Sequence, residues 1–123
     1  MKNSCIQDLM GVLFISRDFA HKRHLASKSF SEHMALGSFY EDIIPVADKL
    51  AEAWQGKNLT LIGEIPCLKI AYEETAAKGL KEQLDVIESY RKEVTGGYSP
   101  LENIYDEIAT VYLSTIYKLT FLK

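Results

Sequence analysis

The sequence predicts an all-α protein: one domain of four helices packed as a bundle, with one long crossover between the second and third. Three observations predict it. Apolar residues recur at three- and four-residue steps in four long blocks. Two short stretches, Ser29-Phe30-Ser31-Glu32 and Ser99-Pro100-Leu101-Glu102, carry the Ser-x-x-Glu signature of a helix start. The joins between blocks are unequal, two being turns of a few residues and the middle one spanning residues 56–67.

The first helix is expected over residues 3–27, where Ile6, Leu9, Met10, Leu13 and Ala20 form one apolar face flanked by Val12, Ile15 and Phe19. Ser29 and Glu32 then cap the second reciprocally, the serine hydroxyl accepting from the amide three residues on and the glutamate reaching back. That helix runs through Leu36, Tyr40, Ile43, Ala47, Leu50 and Trp54, and Gly56 is expected to stop it. Pro45 lies inside the pattern without an amide to bond to the Glu41 carbonyl, so a kink or local unwinding is expected there.

The third helix is expected from about Lys69 to Thr95, with Ala77, Leu80, Leu84, Ile87 and Val94 on one face and Gly96-Gly97 ending it. The second Ser-x-x-Glu box starts the fourth, with Pro100 at the first helical position, where its missing amide costs nothing. Leu101, Ile104, Ile108, Val111, Thr115 and Leu119 carry its core face to the C-terminus. Glu73, Glu74, Glu102, Asp106 and Glu107 sit near helix starts, where negative charge complements the dipole.

Short turns make the first and second helices, and the third and fourth, antiparallel hairpins. The middle join is different. Twelve extended residues reach roughly 40 Å, the length of a helix of about 26 residues. A connector that traverses the bundle makes the second and third helices parallel. Leu59-Thr60-Leu61-Ile62 within it is expected to lie extended against the bundle side.

Composition narrows the function. With 47% hydrophobic and 25% charged residues in 123, the chain buries one core and is not disordered. A net charge of −3 and a pI near 5.6 leave no basic stripe to neutralise phosphates, so nucleic acid is not an expected partner. No apolar run approaches the ~20 residues of a membrane span, and no signal-peptide pattern opens the chain, so a cytoplasmic protein is expected. Cys5 and Cys67 lack metal-knuckle or C-x-x-C spacing and are expected to be reduced thiols.

The chain's three histidines, His21, His24 and His33, crowd into thirteen residues and are followed by Asp48 and Glu52. The two carboxylates are four apart, about one turn, and so share a helix face with Gly37, Glu41 and Ile44. From His21, the steps to His33, Asp48 and Glu52 are twelve, fifteen and four residues. Oxygen and imidazole ligands projected from neighbouring helices are what iron chemistry needs. In this order and spacing the sequence resembles the ferroxidase signature of Dps-type miniferritins. Phe39-Tyr40, Ala51-Glu52 and the closing Tyr117-Lys118-Leu119-Thr120-Phe121-Leu122 resemble that family too, and residues 21–54 carry most of the likeness. It is also similar to short ferritin-like proteins of phages and bacteria.

The resemblance implies a ferritin-like fold, iron as the bound metal and a homo-oligomer whose minimal unit is a dimer. In such a dimer, two histidines of one subunit meet the Asp48 and Glu52 of another across a two-fold axis. His21 matches by residue count, and His24 matches by its place near the end of the first helix, so both stand as candidates beside His33. The larger ferritins place Glu-x-x-His motifs in the bundle core. The chain contains none, Asp18-Phe19-Ala20-His21 being the nearest, which excludes that branch. The expected activity is oxidation of ferrous iron by oxygen or peroxide, with storage of the product if a shell assembles. The alternative is a helical bundle that kept this frame and acts by docking on another protein. Tyr105, Tyr112 and Tyr117 stand as electron donors in the first reading and as packing in the second.

Overall fold

The computed structural model describes residues 4–69 and 75–123, and among them every regular element is a helix. α1 spans Ser4–Ala26, α2 Phe30–Asn58, α3 Ala76–Ser89, α4 Arg91–Thr95 and α5 Ser99–Phe121. They pack as a bundle around Leu9, Leu13, Leu36, Phe39, Ile43, Leu80, Ile87, Tyr105, Ile108 and Tyr112, all fully buried. Among the described residues no helix is long and apolar enough to cross a membrane.

The helix ends show which local signals hold. Ser29 sits extended at the start of α2 and its Oγ accepts the Glu32 amide at 3.3 Å. The return arm of the box is not made by Glu32, because the Ser29 amide donates instead to Ser27 Oγ at 3.1 Å. Gly56 does not end α2. A glycine inside a helix costs only about 1 kcal/mol, and the helix continues to Asn58, whose side-chain amide donates to the Trp54 carbonyl at 2.9 Å before Leu59 turns left-handed. Nor does Pro45 unwind α2. It stands on the exposed side, and the helix runs uninterrupted through it.

The third predicted helix is shorter and divided. Lys69 is not helical, and Thr75, extended, caps α3 by accepting the Lys78 amide at 3.2 Å. The expectation for residues 70–74, with Glu73 and Glu74, lies outside the described residues. At Tyr90 the amide donates to Ile87, three residues back, and the chain steps from α3 into α4, which ends at left-handed Gly96. The second Ser-x-x-Glu box does not form either. Tyr98 stands before α5 without a side-chain cap, and Glu102 accepts from Thr95 Oγ1 at 2.6 Å and from Arg91 at 2.9 Å. Arg91 also bonds Glu88 and Asp106 and lies over the Tyr105 ring, so this network clasps α4 to α5.

That clasp carries a pH dependence. The Thr95 hydrogen bond first, and Arg91 second, hold the Glu102 carboxyl below its ordinary range. A depressed carboxyl stabilises the fold above its unfolded pKa and loses that contribution as pH falls through the folded value. Melts recorded from neutral pH into strong acid should therefore fall less steeply for Glu102→Gln than for the parent chain. Equal acid slopes would show that the clasp adds nothing to stability.

Contacts between helices fix their directions. His24 meets His33 and His21 meets Tyr40, so α1 and α2 are antiparallel. Lys49 pairs with Glu107 at 3.2 Å and Phe39 meets Tyr112 at 4.9 Å, so α5 is antiparallel to α2. Tyr105 donates to the Ile87 carbonyl at 2.6 Å and Arg91 reaches Glu102, so α5 is antiparallel to α3 as well. α1 packs on both α2 and α3, α5 packs on both too, and α2 and α3 run in the same direction.

The chain between them begins at Leu59. The Ile62 amide donates to Gln55 Oε1 at 3.0 Å, and Gln7 donates to the Ile62 carbonyl at 2.9 Å. Further on, Leu68 and the Pro66 carbonyl lie against Gly11, where a Cβ would come within 2.9 Å of Leu68 Cδ1. The segment thus follows α1. Of Leu59-Thr60-Leu61-Ile62, Ile62 is buried, while Leu59 and Leu61 remain 90% and 77% exposed.

Candidate functional site

The three histidines gather where α1 and α2 meet near their hairpin. His24 Nδ1 lies 2.6 Å from the His33 carbonyl, and His33 Nδ1 lies 2.9 Å from the His24 carbonyl. A carbonyl oxygen only accepts, so both Nδ1 atoms carry the proton and donate. When neutral, each ring keeps a lone pair on Nε2, the tautomer that a metal-ligating histidine usually adopts when its other nitrogen is held by a carbonyl. The two rings stack at 3.7 Å and 17°. His21 stacks on Tyr40 at 4.2 Å, 6.2 Å from His24, and Arg17 covers the Tyr40 ring at 5.3 Å.

Stacking limits what the pair can ligate. An imidazole lone pair lies in the ring plane, and a metal sits about 2.1 Å from the nitrogen along it. Two nearly parallel rings with centroids 3.7 Å apart offer no point that lies in line with the lone pairs of both nitrogens. In this arrangement His24 and His33 supply one ion with a single nitrogen between them, and His21 is the remaining imidazole.

The carboxylates are elsewhere. Asp48 and Glu52 are exposed on α2, and fifteen residues at ~1.5 Å each put Asp48 about 22 Å from His33 along that helix. Among the described residues of one chain, no three His, Cys, Asp or Glu side chains come together as they would around a metal ion. Trp54, Tyr105 and Tyr112 are buried as packing, Tyr117 is 53% exposed, and Cys5 and Cys67 are unpaired thiols.

Sequence reasoning placed Gly37 on the face of Asp48 and Glu52 but missed its approach to His24, and missed the partnership of Tyr40 with Arg17. The signal for Gly37 was available, since a glycine four residues after His33 inside a helix marks a close approach. A Cβ there would lie 3.0 Å from His24 Cε1 and 3.2 Å from Nδ1. Gly37→Val should push the His24 ring away, break its hydrogen bond and cost about 1 kcal/mol or more. Imidazole nitrogen shifts would register this as exchange broadening of the His24 Nδ1 proton. An unchanged, protected signal would show that the stack tolerates the intrusion.

The family described as "Family of unknown function (DUF5856)" matches residues 24–119. The chain belongs to this family. No curated protein and no solved structure matches the chain. The DUF5856 match takes in His24, His33, Asp48 and Glu52 and starts three residues after His21.

Proposed function

We propose that the protein is a ferritin-like, iron-binding bundle that works as a pair of chains. Ferrous iron binds between the histidines of one copy and Asp48 and Glu52 of the other, and oxygen or peroxide takes the electron. The observation that carries this reading is the gathering of His21, His24 and His33 on one side of the α1–α2 hairpin, with the Nδ1–H groups of two of them committed to carbonyls. The parallel run of α2 and α3, joined along α1, supports the ferritin-like frame.

The 22 Å between the two donor sets explains why the pair is needed. Their midpoint on α2 lies near Tyr40 and Glu41, so a two-fold axis crossing α2 there brings the histidine end of one copy to the carboxylate end of the other. Charge leans the same way: Arg17, Lys22, Arg23 and Lys28 outnumber Asp18 and Glu32 near the histidines in the sequence, whereas Glu41, Asp42, Asp48 and Glu52 outnumber Lys49 and Lys57 on the far half of α2. Neutral imidazole and two carboxylates leave coordination positions for an oxidant. Cys5 and Cys67, both unpaired, fit the reducing cytoplasm.

Untagged protein titrated anaerobically with ferrous iron should bind it, melt at a higher temperature in its presence, and form ferric product when oxygen or peroxide is admitted. Identical melts with and without iron would overturn the reading. A second reading is favoured by the stacked His24 and His33: here the pair is a clasp of the hairpin, and the bundle acts by docking on another protein. Under it, replacing the histidines changes stability and leaves ferrous-iron oxidation at the background rate.

A further inference from the structure

Three polar side chains stand in the bundle core without partners. Ser16 of α1 and Tyr112 of α5 are 0% exposed and Gln83 of α3 is 5% exposed. The Ser16 hydroxyl, the Tyr112 hydroxyl and both polar atoms of the Gln83 carboxamide make no hydrogen bond among the described residues. Burial pushes the Tyr112 phenol well up, and the Ser16 hydroxyl beside it offsets part of that. The two oxygens nonetheless lack the geometry of a direct bond.

All three lie within about one helical turn of one another along the bundle. Gly79 of α3 meets Phe19 of α1, three residues beyond Ser16, and Gln83 is four residues beyond Gly79 on the antiparallel helix. From the other side, Ile87 is level with Tyr105, which places Gln83 between the levels of Tyr105 and Tyr112. Each offset amounts to about one helical turn, ~5 Å, within the reach of these side chains.

We propose that Ser16, Gln83 and Tyr112 form an internal site for a small neutral hydrogen-bonding ligand, namely water, which bridges α1, α3 and α5. The donor set decides the class. Two hydroxyls and a carboxamide offer both donors and acceptors, matching the two donors and two acceptors of water. None of the three is charged, so a bare cation or anion at this depth has nothing to offset its desolvation. Four unbonded polar atoms in one layer are otherwise costly, and a bridging water with two to four partners is the usual solution in protein interiors. The site ties α3 to both α1 and α5, one turn from the hydrogen bond of Tyr105 to the Ile87 carbonyl.

Magnetic relaxation dispersion of labelled water counts long-lived internal waters in the folded chain. The count should fall by at least one in Tyr112→Phe and in Gln83→Met, each of which keeps the shape of the core. An unchanged count in both variants overturns the proposal. Thermal melts give an independent reading. A bridging water makes Gln83→Met lower the melting temperature, by roughly 4 °C or more, because two hydroxyls lose a shared partner. A higher melting temperature in Gln83→Met shows a dry, unsatisfied carboxamide and overturns the proposal as well.

Discussion

In the proposed two-chain iron site, Asp48→Asn combined with Glu52→Gln should lower ferrous-iron oxidation at least ~100-fold, a loss of the size that follows disruption of a metal site, while the bundle stays folded. Both side chains are exposed on α2, so the substitutions bury nothing and open no cavity. In the apo protein the melting temperature stays level or rises, since two like charges one turn apart repel. The stabilisation by ferrous iron expected of the parent chain under the proposed reading should disappear, because a ligand stabilises only the state that binds it. Rates, melts and iron content measured together check this. Retained oxidation, or a several-kcal/mol loss of stability in the apo variant, removes these carboxylates from the site.

Phe39→Ala has the largest effect expected on stability, about 3–5 kcal/mol. Phe39 is 1% exposed and presents its edge to Tyr112 at 4.9 Å, linking α2 to α5 beside the polar layer of Ser16 and Gln83. Truncation removes the transfer energy of the ring and leaves a cavity that rigid neighbouring helices fill only partly. Aromatic pairing adds about 0.5–1.5 kcal/mol to what is lost. Denaturant unfolding gives the value through the shift in midpoint at constant slope. A cost below about 1 kcal/mol would mean that α5 moves in to close the gap and that the core is not held by the hydrogen bond from Tyr105 to Ile87.

Much of the fold is legible because hydrophobic spacing is a property of one helix at a time. Leu36, Ile43, Ala47, Leu50 and Trp54 read as one face of α2 and are all buried. Helix ends are less legible because several side chains compete for the same few backbone groups. Ser27 takes the Ser29 amide that Glu32 would have taken, and Arg91 and Thr95 take Glu102 from its expected cap. Both outcomes depend on which residues the tertiary fold brings alongside. The passage of Leu68 over Gly11 was likewise hidden, since a glycine in a helix does not announce which segment approaches it.

The candidate site was legible as a list and not as a geometry. Spacing in the sequence groups His21, His24 and His33, and the hairpin brings their rings near one another. It gives no sign that His24 and His33 stack face to face with their Nδ1 protons exchanged across the hairpin. That arrangement needs Gly37 beneath the His24 ring and two carbonyls at the right height. The polar layer of Ser16, Gln83 and Tyr112 was invisible for a related reason. Each residue belongs to a different helix, and only the bundle sets them within about one turn of one another.

Complementation between two inactive chains tests most directly the claim that iron is held by two copies together. One chain carries Asp48→Asn with Glu52→Gln, and the other carries Gln at positions 21, 24 and 33 in place of histidine. Mixed, dissociated and reassembled in equal amounts, half of the two-fold pairs are hybrids, and each hybrid has one intact site of two. With a shared site, neither chain alone should oxidise ferrous iron above background, and the mixture should recover about one quarter of the parent rate. A mixture as inactive as its components would contradict a shared site.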